Sequence, residues 1–377
     1  MPLMNANISF LLLFLLMLPV PRLVQAQQPL MPGFDANEYA MLLRLGTLIK
    51  DPQATPEKKA PSGELPRLVF RSEVTGLDNR WDLWLIGNHT GIIEVRGTTS
   101  KTISWIGNFY AGMVPATGSI QVRKGHILNY RLAEHPGAAV HAGWLTGLAS
   151  MLPIITGKIN EYYLKGVKQF ILMGHSQGAG IVFLLDSYLH YDVNGEIPDD
   201  IIFKTYNSGA PKPGNLYYSY DYSYINRGGW AFRVVNTSDW VPETPIAVQD
   251  MDDFNEINPF ADRKTFSRSL NWMQGIILKS IFRKNERSLR KAGGRLNKYL
   301  GRKLFRFVGS HLPEMTEPAY VNSMNYTPAG TAVILPPTEN YRRDYLPSAR
   351  QDLFIHHKAA AYLFLLNEHY HIDHQGQ

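Results

Sequence analysis

The chain has 377 residues, 45% of them apolar and 19% charged, a balance that excludes wholesale disorder and allows a large buried core. It contains no cysteine, which excludes disulfide frameworks, thiolate metal sites and cysteine nucleophiles. The formal charge of +6 is modest for the length but unevenly placed.

Residues Ile8 to Leu18 are apolar apart from Ser9, and Pro19-Val20-Pro21 and Val24-Gln25-Ala26 follow. This pattern predicts a signal peptide over 1–26, cleaved after Ala26, and export to a periplasmic or extracellular location. The run is shorter than the roughly 20 residues a bilayer-spanning helix needs. No Lys or Arg precedes it, so an uncleaved anchor stands as the alternative. Apolar residues at helical spacing (Tyr39, Leu42, Leu43, Leu45, Leu48) predict a helix over Asp35 to Leu48. Asp51 to Pro66, rich in Pro, Lys and Glu, reads as a surface loop.

Trp81 to Gly87 and Gly91 to Val95 read as a hairpin turning at Asn88-His89-Thr90. An apolar strand over Gln169 to Met173 leads into a helical pattern from Gly178 to His190, and Ile201 to Tyr206 and Ala231 to Asn236 are further strands. Strands alternating with helices predict one α/β domain over 27–377, its mostly parallel sheet covered on both faces.

The chemistry concentrates at Gly174-His175-Ser176-Gln177-Gly178. Glycines two before and two after a serine permit a tight strand-to-helix turn that lifts the hydroxyl above the sheet at a helix amino end. An apolar strand precedes the motif and an apolar helix follows it, as such a turn requires.

Four blocks in order resemble the class 3, fungal-type triacylglycerol lipase family of α/β-hydrolases. They are Val95-Arg96-Gly97-Thr98 with Trp105-Ile106, Val140-His141-Ala142-Gly143-Trp144, the serine motif itself, and Tyr206-Asn207-Ser208-Gly209-Ala210-Pro211-Lys212-Pro213-Gly214-Asn215. The serine motif departs from the family's usual Gly-His-Ser-Leu-Gly-Gly by ending in Gln177-Gly178-Ala179. The resemblance implies an α/β-hydrolase fold and a Ser-Asp-His order of catalytic residues.

The stretch Phe232 to Pro242 resembles the family's Arg-Val-x-x-x-x-Asp-x-Val-Pro pattern, which implies the acid at Asp239, just past a strand end; Asp192, Asp199 and Asp200 fall in a surface loop instead. His357, five residues before Tyr362 and nine before Leu366, fits the family spacing, whereas His356 does not. Neighbours at a helix start point about 100° apart, so only one of the two can reach Ser176. The backbone N–H of Gln177 and, by resemblance, Thr98 supply the oxyanion hole. His141 and His175 are read as packing and hydrogen-bonding residues, and Arg96 as an ion pair holding the oxyanion loop.

The function implied is a secreted serine ester hydrolase acting on acylglycerols, foremost a triacylglycerol lipase, with no cofactor, metal or nucleic-acid partner. A phospholipase A1 or carbohydrate-ester esterase on the same fold is the close alternative. An inactive lipid-surface binding protein is the alternative from another class. Between acid and base, residues 261–310 carry 14 Lys and Arg against Asp262 and Glu286, a net of +12 that leaves −6 for the rest of the chain. Phe266, Leu270, Met273, Ile277 and Ile281 predict one amphipathic helix, and Leu296, Tyr299, Leu300 and Leu304 a second after a break at Gly293-Gly294. Such a segment suits an anionic membrane or lipid–water interface; packing on the catalytic domain is the other reading.

Overall fold

In the computed structural model, residues 29–49, 59–255, 257–258 and 272–372 are described. The leader, residues 51–58 of the expected loop, and Phe266 and Leu270 lie outside them. Seven strands form the main sheet: β1 (Arg67–Arg71), β2 (Trp81–Ile86), β3 (Thr90–Val95), β4 (Gln169–His175), β5 (Ile202–Ser208), β6 (Ala231–Asn236) and β7 (Thr331–Leu335). Their order across the sheet is their order in the chain. β1, β2 and β3 form an antiparallel meander, and every neighbour from β3 to β7 is parallel.

Parallel neighbours cannot be joined by a tight turn, so helices must carry the chain back across the sheet. Helix α1 (Ala36–Leu48) precedes the sheet. α2 (Thr102–Phe109) and α3 (Ala142–Tyr163) lie between β3 and β4, α4 (Gln177–Tyr191) between β4 and β5, and α5 (Leu216–Ile225) between β5 and β6. The long β6–β7 connection holds α6 (Trp272–Asn297) and α7 (Leu304–His311), and α8 (Glu339–Tyr345) and α9 (Ala359–Tyr370) follow β7.

Side chains alternate along each central strand, and both faces are apolar because both are covered. Leu83, Leu85, Ile93, Val95, Phe170 and Leu172 pack in one buried core with α3 and α4. Trp84, Ile86, Ile92, Ile171 and Met173 pack in a second core with α1 and α9. With a mostly parallel sheet and a serine turn at the end of β4, this is the α/β-hydrolase fold that the motifs implied.

Elsewhere the structure adds to the sequence reading or corrects it. A four-stranded sheet of short pieces, in the order Tyr326–Thr327, Gly214–Asn215, Ala139–His141, Met113–Pro115, and a hairpin of Thr117–Arg123 with His126–Arg131 were not anticipated. The expected break at Gly293-Gly294 is absent, because α6 runs through both glycines. Each is tolerated there at roughly 1 kcal/mol. The break falls instead at a π turn over Lys298–Lys303. There the Leu304 N–H bonds back to the Gly301 carbonyl, which releases the Leu300 carbonyl to accept from Gly112 N–H at 3.1 Å. A Cβ on Gly112 would sit 2.6 Å from the Gly301 Cα, so this crossing needs a bare backbone. No described helix is long and apolar enough to cross a membrane.

Helix α1 is capped by Asp35, whose carboxylate accepts from the Asn37 and Glu38 N–H groups at 2.8 and 3.0 Å. Its deeper anchor is ionic. Glu38 accepts from Lys204 Nζ on β5 at 2.7 Å and from the Tyr206 hydroxyl at 2.6 Å, in surroundings where Lys204 is almost wholly buried. Removing one partner strands the other charge in an apolar core. Glu38→Ala should therefore lower unfolding free energy in urea by about 3–5 kcal/mol, while Glu38→Leu combined with Lys204→Met should recover most of the loss. Simple addition of the two single losses in the double variant would show that the pair is not coupled.

Candidate active site

The parallel register pairs Val95 with Gly174 and His175 with Ser208, so the carboxyl ends of β3, β4 and β5 converge. Ser176 follows β4 directly and caps α4 with φ 61° and ψ −129°, a conformation that costs a residue with a Cβ of order 1–3 kcal/mol. The flanking glycines make it attainable. A Cβ on Gly174 would lie 2.6 Å from the Ala179 nitrogen, and one on Gly178 would collide with the Val95 carbonyl. Packing of strand against helix across the turn thus holds the serine in its strained pose.

Asp239 lies just past β6 and His357 in the 3₁₀ turn Ile355–His357, before α9. His357 Nδ1 and Asp239 Oδ2 are 2.6 Å apart, and both residues are buried. The same oxygen accepts from the Tyr362 hydroxyl at 2.7 Å, and Asp239 Oδ1 accepts from the Val241 N–H at 3.0 Å. Burial, and then the carboxylate beside it, push the Tyr362 hydroxyl well up, so it remains a donor. With Nδ1–H committed to Asp239, His357 Nε2 is left as an acceptor; it is buried and has no hydrogen-bond partner among the described residues. His356 points elsewhere. Its Nδ1 meets the Tyr341 hydroxyl at 2.7 Å, and burial lowers its pKa.

His175 anchors the backbone of His357 by donating from Nε2 to its carbonyl at 2.7 Å. Its Nδ1 lies 2.9 Å from Ser208 Oγ, which in turn is 2.6 Å from the Tyr39 hydroxyl on α1. Ser208 stands in the last of the four blocks and Tyr39 in the predicted first helix, but only the folded register reveals that they meet.

The loop after β3 is held from two sides. Arg96 Nη2 donates to the Asp78 carboxylate at 3.1 Å and to its carbonyl at 2.7 Å, the ion pair read from the sequence. Thr99 and Lys101 donate to the same carboxylate at 2.6 and 2.8 Å. Burial alone would raise Asp78, but the bonds from Lys101 and Thr99 hold it below its ordinary value. On the other side Asn108 Nδ2 donates to Thr98 Oγ1 at 2.9 Å, while its own oxygens accept from Trp144 Nε1 and His141 Nε2. His141 stacks on Trp144 with ring centroids 3.7 Å apart. Gln177 is tied to Ser104, which accepts from Gln177 Nε2 through its carbonyl at 2.9 Å.

A cavity of about 640 Å³ joins these residues, with Thr98, Ser176, Gln177 and His357 in its wall. Most of the remaining wall is apolar, and Phe109, Trp240 and Ile246 at its lining are also exposed to solvent. Asp192 and Asp200 lie away from it. Asp192 accepts from the Glu196 and Ile197 N–H groups, and Asp200 pairs with Lys168 at 2.6 Å. No metal-binding cluster of His, Cys, Asp or Glu occurs among the described residues.

Residues 92–249 match the family model described as Lipase (class 3). Among solved structures, the chain is similar to a mutant MDLA of Penicillium cyclopium (17% identity, 56% of this chain and 73% of that chain covered, TM-score 0.38). It is also similar to the Rhizomucor miehei lipase–propeptide complex (16% identity, 58% and 72% covered, TM-score 0.39). The family match covers the stretch holding Thr98, Ser176, Gln177 and Asp239, and it supports a carboxylic ester hydrolase.

Burial lowers the His141 pKa from 6.5 to about 3. The unfolded chain takes up a proton at His141 below pH 6.5 that the folded chain refuses, so this group makes stability fall as pH falls, at up to about 1.4 kcal/mol per unit, until about pH 3. Imidazole resonances of His141 should stay unshifted from pH 8 to 5, and His141→Gln should flatten the acid limb of stability against pH. A His141 titration midpoint near 6.5 would contradict the assignment.

Proposed function

We propose that this ester hydrolase cleaves acylglycerols through an acyl-enzyme on Ser176. The observation that carries the reading is the short His357–Asp239 bond, with an unbonded His357 Nε2 in the same cavity wall as the strained serine. In this reading Nε2 takes the hydroxyl proton as Ser176 Oγ attacks the ester carbonyl, and Asp239 stabilises the imidazolium. Collapse of the tetrahedral intermediate breaks the bond to the alcohol, which leaves with the proton from Nε2. Water, activated by the same nitrogen, then hydrolyses the acyl-enzyme.

The oxyanion is met by the Gln177 N–H at the amino end of α4 and by Thr98. Because Thr98 Oγ1 already accepts from Asn108, its hydroxyl hydrogen is free to donate. His175 is a positioning residue that fixes the His357 backbone rather than a proton carrier. The apolar cavity wall and its exposed aromatic edge suit a long acyl chain delivered from a lipid–water interface.

Residues 272–311 form the interfacial arm in this reading. Arg283, Lys284, Arg287, Lys291, Arg295 and Lys298 are all exposed, while Leu300 in the π turn lines the cavity and Val308 is buried. The arm is thus rooted beside the cavity and turns its charge outward, as anionic lipid attraction requires. The export reading rests on the leader sequence alone, and fractionation with amino-terminal sequencing of the mature chain would check it.

Ser176→Ala should abolish turnover of a p-nitrophenyl ester and labelling by a fluorophosphonate, with little change in Tm. His357→Ala should lower kcat by about three decades or more, and Asp239→Asn by up to about four. His356→Ala should stay within a few-fold of the parent. A wild-type protein that resists the fluorophosphonate would instead be the inactive binding protein.

For the arm, Arg283, Lys284, Arg287 and Lys291 replaced together by Glu should leave soluble-ester turnover unchanged. The same variant should lose binding and hydrolysis on anionic vesicles, and rising salt should weaken binding of the parent alone. Equal loss on both substrates would make the arm part of the catalytic fold only. Preference for phospholipid over triglyceride emulsion would identify a phospholipase.

A further inference from the structure

Glu94 is a buried carboxyl that the reaction above does not use. It lies on β3, two residues before Arg96, on the sheet face that packs against α1 and α9. It is 1% exposed, and its Oε2 is buried without a hydrogen-bond partner among the described residues. Its cross-strand partner is Asp82, another carboxylate, to which the Arg71 guanidinium donates at 2.6 and 2.9 Å. Burial, and then Asp82, push Glu94 well above the usual carboxylate range. A neutral carboxyl presents one O–H donor together with acceptor lone pairs.

The same residue lines the cavity that holds Ser176 and His357. α1 makes room for it with Gly46, where a Cβ would stand 2.6 Å from Glu94 Oε1. The register pairs Glu94 with Met173, three residues before Ser176, so the Glu94 backbone lies roughly 10 Å back along the strand direction from the serine. An alkyl chain laid along this wall would leave the carboxyl without a partner, whereas a hydroxyl would both accept from it and donate to it.

We propose that Glu94 is a specificity-determining residue that recognises a hydroxyl carried partway along the substrate chain, so that the preferred ester is a mid-chain hydroxylated lipid rather than a plain one. The inference rests on Ser176 being the nucleophile. A hydroxyl at that distance from the ester carbonyl could belong to the acyl chain or to the alcohol, and the two sources are separated by substrate choice.

The test measures kcat/KM for p-nitrophenyl stearate against a positional series of p-nitrophenyl monohydroxystearates. A parallel series of butyrate esters of long alkanols carries the hydroxyl on the alcohol side. The wild-type enzyme should favour one hydroxyl position in one of the two series by about tenfold or more over the plain ester. Glu94→Gln, which keeps a donor and an acceptor, should retain the preference. Glu94→Leu should erase it while plain-ester turnover persists. A wild-type enzyme that hydrolyses plain esters with no positional preference overturns this inference and leaves the esterase reading standing, as does a preference that survives in Glu94→Leu. Failure to hydrolyse any ester in either series would defeat the reading of Ser176 itself.

Discussion

The parallel pairing of β3 with β4 is the constraint on which the site depends. It sets the Val95 carbonyl against the first turn of α4 so closely that residue 178 can carry no side chain. The chain leaving β4 has only one way to enter α4 under that restriction, and the strained Ser176 conformation is the result. The loop after β3 emerges beside it because Val95 and Gly174 share a register position. Ser176, the loop after β3 and the amino end of α4 are therefore brought together by one strand pairing rather than by three separate arrangements. β5 and β6 extend the same logic, ending at Ser208, whose hydroxyl meets His175, and at Asn236, whose carbonyl accepts from the Asp239 N–H.

Much of this was readable before any coordinate, and the reasons are physical. A strand that is apolar on both faces, followed by glycines two before and two after a serine, leaves few foldings open, so the turn at Ser176 was apparent. Asp239 could be singled out because a strand ends three residues earlier, whereas Asp192 and Asp200 follow no strand. His357 was separable from His356 only through family spacing, and the geometry now adds the reason that His356 is occupied by Tyr341. The contacts of Tyr39, Ser208 and Asn108 were not legible because each acts on a residue far away in sequence or through a single hydrogen bond, and neither leaves a local pattern. Helix α3 escaped notice for the opposite cause: most of its residues are buried, so no polar face gives it a period.

The misplaced break in the basic segment is instructive. Two adjacent glycines look like a helix terminus, but with open space around both they only weaken the helix locally. The actual interruption lies where a neighbour makes a demand. Gly112 presents an N–H that must be satisfied, and the π turn supplies the Leu300 carbonyl. Propensity read along one chain cannot see a hydrogen bond offered from almost two hundred residues away. π turns of this kind cluster at functional sites, and here the turn puts Leu300 into the cavity wall beside the proposed chemistry.

The hydrogen bonds around His357 have a consequence for the order in which the site assembles. Asp239 and Tyr362 are 118 and 123 residues apart from their partners, His175 is 182 from the carbonyl it grips, and Tyr39 is 169 from Ser208. Contacts of such separation are late events, since loop closure must be met before they form. Tyr39 and His357 stand 318 residues apart in the sequence. The imidazole is thus clamped only once α1, β4, β5 and the turn before α9 have packed together. A change in α1 that displaces Tyr39 would therefore reach the turn carrying His357 through Ser208 and His175.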